Sequence, residues 1–208
     1  MERDGIMSGR AGTMPRRPAS PDRPALLAAA GRRVPDLIGP GLRVLFCGIN
    51  PGLYSAATRH HFARPGNRFW PALHAGGFTP RILVPWEERE LLELGLGITN
   101  LVARATASAA ELTPAELVAG RRRLERKVER YRPAWVAVLG VGAYRTGFGR
   151  PEARLGPQPE RLDPAGLWLL PNPSGLNAHH QPRDLAAAFA DLRRAARRPL
   201  LPRSPRAG

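Results

Sequence analysis

Four continuous apolar runs divide the chain: LRVLFCGI at 42–49, LGITNLV at 96–102, AWVAVLG at 134–140 and LWLLP at 167–171. None alternates strictly between apolar and polar positions. Unbroken apolar runs of this length predict strands buried on both faces, as in a parallel sheet. Between them the apolar period lengthens. Thr113-Pro114-Ala115-Glu116 has the form of a capping box with proline at the first helical position. Leu117, Leu124, Val128 and Tyr131 then recur at helical spacing, ringed by Arg121, Arg122, Arg123 and Arg126. Asn67 is placed to cap a short helix through Phe69, Trp70 and Leu73. Asp184 is placed to open a last helix that turns Leu185, Phe189 and Leu192 inward. Strands alternating with helices predict an α/β class with a parallel sheet.

Composition sets the limits of that domain. The chain has 208 residues and 43% are hydrophobic, enough for one packed core. Residues 1–24 are rich in Arg, Pro, Gly and Ser and bury too little to offset chain entropy, so a basic disordered tail is expected there. Residues 199–208 are expected to form a second tail, leaving a domain over 25–198. No apolar run is long enough for a membrane span, and the N-terminus lacks the apolar core of a signal peptide. A cytoplasmic monomer away from membranes is expected.

The formal net charge of +15 favours an acidic polymer as partner, most simply nucleic acid. Among the 32 basic residues only Lys127 is lysine, so GC-rich coding is an equal explanation of the excess. The arginines around 121–126 read first as a solvated helix face and second as a DNA contact. The single cysteine, Cys47, lies within an apolar run and reads as a small buried hydrophobe. One cysteine excludes an intrachain disulfide and a four-cysteine metal or iron–sulfur site.

Two polar loops follow predicted strands: GINPG at 48–52 and NPSGL at 172–176. Loops at the carboxyl ends of parallel strands meet at the crevice where open α/β sheets bind ligands. In the first, glycines allow close backbone approach and Asn50 alone offers both a side-chain donor and an acceptor. A purely structural turn is the competing reading of Gly-Asn-Pro-Gly. Between the loops lies HHFARPGNRFW at 60–70, with Phe62 among polar neighbours. The pairs His60-His61 and His179-His180 lack the carboxylates and spacing that a metal site needs, so none is expected.

Both pentapeptides in this order, with Phe62 and the NRFW string between them, resemble the mismatch-specific uracil/thymine–DNA glycosylase family over about residues 38–198. The resemblance implies a three-layer α/β/α sandwich with a central, mainly parallel sheet. It implies a monofunctional DNA glycosylase acting on uracil, and by extension thymine or damaged pyrimidines, in mismatched duplex DNA, with no cofactor. Carried over, Asn50 positions the attacking water. Gly48, Ile49, Ser55, Phe62 and Asn172 line the base site, with Phe62 stacking on the flipped base. Ser174 and Gly175 approach the phosphate backbone, while Leu176 and Asn177 enter the duplex as a wedge. Leu176 folding back onto the next helix is the alternative. High-rate relatives place aspartate in the first loop and histidine in the second. Asn50 and Asn172 at those positions point toward the mismatch-specific branch.

Family members commonly carry an arginine after the wedge, facing the orphaned guanine. None occurs here before Arg183, so opposite-base preference stays open, with Asn177 or a backbone carbonyl as substitutes. No lysine sits in either loop to form a Schiff base, so an abasic product without strand cleavage is expected. The rival readings are a glycosylase for deaminated purines such as hypoxanthine or xanthine, a non-catalytic DNA-damage binder, and a small-nucleotide hydrolase.

Overall fold

The computed structural model describes residues 19–175 and 181–197. Leu176, Asn177, the His179-His180 pair and most of both expected tails lie outside the described residues. The strands are β1 (Val44–Gly48), β2 (Leu96–Asn100), β3 (Trp135–Leu139), β4 (Gly156–Leu162) and β5 (Ala165–Leu170). The helices are α1 (Arg23–Leu27), α2 (Leu53–Thr58), α3 (Phe69–Ala75), α4 (Glu90–Glu93), α5 (Pro114–Tyr131), α6 (Val141–Phe148) and α7 (Pro182–Ala196). α1 thus begins within the expected N-terminal tail.

The five strands form one sheet in the order β2-β1-β3-β5-β4. β1 pairs in parallel with β2 and β3, β3 pairs in parallel with β5, and β4 runs antiparallel to β5. Every residue of β1 and β5 is buried, as their unbroken apolar runs require. Side chains alternate across β1. Val44 and Phe46 face α3 and α7, whereas Leu45 and Cys47 face α5 and α6. The result is a three-layer α/β/α sandwich.

The first layer is aromatic. Phe46 meets Phe69 edge-on at 5.5 Å between ring centroids and stacks over Phe189 at 5.7 Å. Phe46, Phe69 and Phe189 are completely buried, each worth about 1.5–3 kcal/mol of transfer free energy. The second layer packs Leu117, Leu124 and Val128 of α5 and Tyr144 of α6 on β3 and β5. Leu185, Phe189 and Leu192 of α7 face inward as expected.

The details depart from the sequence reading in three places. β4 was hidden by Pro157 and Pro159, which suit only a sheet edge, where a missing N–H costs no ladder bond. Arg68 occupies the cap position of α3, while Asn67 Oδ1 accepts from Phe69 N at 2.9 Å. α7 opens two residues before Asp184, whose carboxylate reaches back to Gln181 N at 2.9 Å.

The chain leaves β1 to one side for β2 and returns on the other side for β3. That reversal puts a crevice beyond the carboxyl ends of β1 and β3, where GINPG begins.

Candidate active site

Gly48 ends β1 beside Asn100, its register partner on β2. A Cβ at Gly48 would stand 2.6 Å from Asn100 Oδ1 and 3.3 Å from Phe62 Cζ. Only glycine lets those two side chains close over the strand end. The loop after β1 then runs beside residues 101–106. Leu101 N donates to Gly48 O, Val102 N to Ile49 O and Thr106 N to Pro51 O.

This pairing fixes the Asn50 amide. Nδ2 donates to Thr106 Oγ1 at 2.6 Å and to the Arg104 carbonyl at 3.1 Å. Thr106 Oγ1 in turn donates to Ser108 O at 2.8 Å. A carbonyl oxygen can only accept, so the Nδ2 end must face Arg104. Both amide protons are spent on the protein. Oδ1 is left as an acceptor with no hydrogen-bond partner among the described residues, on a side chain that lines the cavity. Arg104 is itself clamped. Its guanidinium grips the Glu116 carboxylate at 2.5 and 3.0 Å, within the capping box of α5. The Arg104 hydrogen bond, helped by Thr113, holds the Glu116 carboxyl down at about 2.

Phe62 is held just as firmly. Its backbone sits in the left-handed region at φ 52°, unusual for a bulky residue. Ser55 Oγ accepts from Ala63 N at 3.1 Å, and Glu88 accepts from His61 N at 2.9 Å, pinning both flanks. Phe69 stacks on one ring face at 4.1 Å, so only the other face is open to a ligand. Phe62 therefore joins the aromatic core and lines the cavity at once.

The histidine pair has structural work. His60 Nδ1 faces Glu88 Oε1 at 3.0 Å. His61 Nε2 donates to Pro35 O at 2.9 Å, leaving Nδ1 to accept from Asn100 Nδ2 at 3.5 Å. Burial pushes the His61 imidazole below its ordinary range against the pull of Glu88, which favours this neutral form. Asn100 is thus oriented with Nδ2 toward His61 and Oδ1 at the mouth of Gly48. Among the described residues no cluster of three His, Cys, Asp or Glu side chains gathers as a metal site. Burial pushes the Cys47 thiol up to about 12, so it stays a thiol inside the core.

The second loop folds onto the aromatic segment. Asn172 Oδ1 accepts from Ser174 N at 3.0 Å, and Arg68 binds Pro173 O through its backbone N and Ser174 O through Nη2. A Cβ on Gly175 would stand 2.4 Å from Gly66 O. The Asn172 amide oxygen serves its own turn although the residue lines the cavity. Gly175 is small because the Gly66 backbone lies against it, whatever its approach to a phosphate.

One cavity of about 410 Å³ collects these groups: Gly48, Ile49, Asn50, Ser55, Phe62, Asn172 and Ser174 from the expected set. Asn100, Thr106, His61, Arg64 and Asn67 also line it and were not among the expected site residues. For Asn100 a signal existed. It is the polar residue that interrupts the run at 96–102, and parallel pairing sets it beside Gly48 at the end of β1. Thr106 lies in an irregular loop, where neither periodicity nor a turn signature marks it.

The arrangement offers a fixed amide acceptor at Asn50, an aromatic face at Phe62, the Asn100 amide oxygen beside Gly48 and a glycine strand end. The sequence itself matches the family described as the uracil DNA glycosylase superfamily over residues 35–193. That superfamily comprises DNA glycosylases, hydrolases of base excision repair, and the match spans most of the chain, so this protein belongs to the uracil DNA glycosylase superfamily.

Proposed function

We propose that the protein is a monofunctional DNA glycosylase of the mismatch-specific type. It would hydrolyse the N-glycosidic bond of uracil, and by extension thymine or damaged pyrimidines, in mispaired duplex DNA. The observation that carries this reading is the Asn50 amide, which lines the cavity with both protons committed to Thr106 and Arg104 and Oδ1 left as an acceptor without a partner among the described residues.

An amide is no strong base, because it has no usable pKa near neutrality. The chemistry therefore begins with stretching of the glycosidic bond, which leaves a cationic sugar and an anionic base. A water held by Asn50 Oδ1 then adds to the sugar cation through its oxygen, and the proton it loses late goes, directly or through solvent, to the base anion, which departs neutral. Positioning alone is worth several orders of magnitude when the reacting atoms are near contact distance. Phe62 supplies a stacking face, worth about 1–3 kcal/mol per base. Asn100 Oδ1 would accept from the ring N–H that uracil and thymine carry and cytosine lacks. Flipping a base out costs a few kcal/mol, and less at a mismatch, which favours mispaired substrates.

The product would be an intact abasic strand. The sole lysine, Lys127, is bound to Asp36 Oδ2 at 2.6 Å and Thr99 Oγ1 at 2.7 Å, so no lysine amine stands ready for a Schiff base.

Labelled oligonucleotides carrying G·U, A·U, G·T or single-stranded U test this, each read with and without alkali. Alkali-dependent cleavage of G·U is expected. Hypoxanthine also carries a ring N–H beside a carbonyl, so it belongs in the panel. Activity on hypoxanthine and none on uracil would overturn the assignment.

A further inference from the structure

A second cavity of about 200 Å³ opens on the other side of the aromatic segment, lined by Tyr54, Phe62, Arg64, Asn67, Trp70 and Trp86 among others. Three of these residues, Phe62, Arg64 and Asn67, also line the first cavity. The two are neighbours across one wall.

The second cavity is rigidly built. Trp86 lies in a short helical turn, Pro85–Glu87, followed by Glu88. Glu87 accepts from Val84 N at 3.0 Å and from Arg81 Nη1 at 2.7 Å. Glu88 accepts from His61 N at 2.9 Å and faces His60 Nδ1 at 3.0 Å. Both residues are buried, and the turn is tied to the Phe62 segment on one side and to Arg81 on the other. Yet Trp86 itself is only half-buried, as is Tyr54 opposite it on α2.

Among the described residues neither Tyr54 nor Trp86 stacks on another ring. The nearly buried Trp70, in the same wall, has an indole N–H with no partner among the described residues. Arg64 is exposed, forms no ion pair among the described residues and borders both cavities.

We propose that this cavity is a second nucleobase subsite, taking an unpaired base adjacent to the flipped nucleotide. Unpartnered aromatic faces are the sequence-tolerant platforms on which single-stranded bases stack. A free arginine at the shared rim is where the phosphate between two such nucleotides would run. Its occupant must be unstacked, so the subsite serves single strands, bubbles and frayed ends and lies idle on an intact duplex. This inference rests on the first cavity taking the flipped base.

The test uses the full chain and single-stranded oligonucleotides with a tetrahydrofuran abasic residue at the target position. A 2-aminopurine stands immediately 5′ or 3′ of it. Binding is expected to quench the 2-aminopurine on one side only. Trp86→Ala should abolish that quench and weaken binding by about 10-fold, the scale of one lost stack. Trp86→Phe should restore both, and excision from duplex G·U should be unchanged in each variant. No binding of the single strand, no quench in the wild type, or a quench that persists in folded Trp86→Ala overturns the proposal. Duplex excision without quenching sinks the second subsite alone. Quenching without excision of any base sinks the catalytic reading alone.

Discussion

Thr106→Val removes the hydroxyl that pins Asn50 while keeping the shape of the side chain. Two hydrogen bonds disappear, Asn50 Nδ2 to Thr106 Oγ1 at 2.6 Å and Thr106 Oγ1 to Ser108 O at 2.8 Å. Thr106 is 3% exposed, so water does not readily replace them. At about 0.5–1.5 kcal/mol net for each bond, the fold should lose roughly 1–3 kcal/mol. Catalysis should lose more than stability implies. The amide keeps one longer bond, to Arg104 O at 3.1 Å, and gains freedom to swing. A full flip would set Oδ1 against the Arg104 carbonyl, so the amide wanders around its native pose rather than inverting. Displacement of a reacting group by about 1 Å costs on the order of 100-fold, so a loss of about 10- to 100-fold is expected. The assay is single-turnover excision from a G·U duplex with enzyme in excess, beside binding of an abasic-analogue duplex. The rate should fall while binding holds within about 2-fold, the mark of an interaction used in the transition state. Thr106→Ser should recover most of the rate. Wild-type excision by folded Thr106→Val would refute the claim that this hydroxyl aims Oδ1.

Other consequences are equally direct. Gly48→Ala places a Cβ 2.6 Å from Asn100 Oδ1 and 3.3 Å from Phe62 Cζ, so base binding should fail in an equilibrium titration even where the melting temperature is nearly kept. Gly175→Ala drives a Cβ to 2.4 Å from Gly66 O, and duplex binding should weaken as the second loop lifts away. Glu116 titrates near 2 in the fold against 4.5 ordinarily. Its stabilising contribution is therefore complete above about pH 4.5 and is lost as pH falls through about 2. Glu116→Gln should flatten the acid slope of the melting temperature in that window. An unchanged slope would remove Arg104–Glu116 from the network behind Asn50.

How far the sequence alone carries is visible residue by residue. The parallel strands β1, β2, β3 and β5 are legible because burial on both faces demands unbroken apolar runs. α5 is legible because Thr113, Pro114 and Glu116 satisfy a helix start chemically. β4 is not, because Pro157 and Pro159 contradict strand propensity and only an edge position tolerates them. Within the cavity Asn50 and Phe62 stand in local motifs. Asn100 and Thr106 become neighbours of Asn50 only through strand register and an irregular loop. Asn172 lines the cavity as its motif suggests, but its bond to Ser174 N within the second loop is not legible from the motif.

The most direct test of the central claim is single-turnover excision from a G·U duplex by wild type and Asn50→Ala, developed with alkali, beside binding of an abasic-analogue duplex. The wild type should yield an abasic product. Asn50→Ala should bind the duplex comparably and excise about 100-fold or more slowly. Undiminished excision by the variant would contradict the assignment of the water-holding acceptor to Asn50.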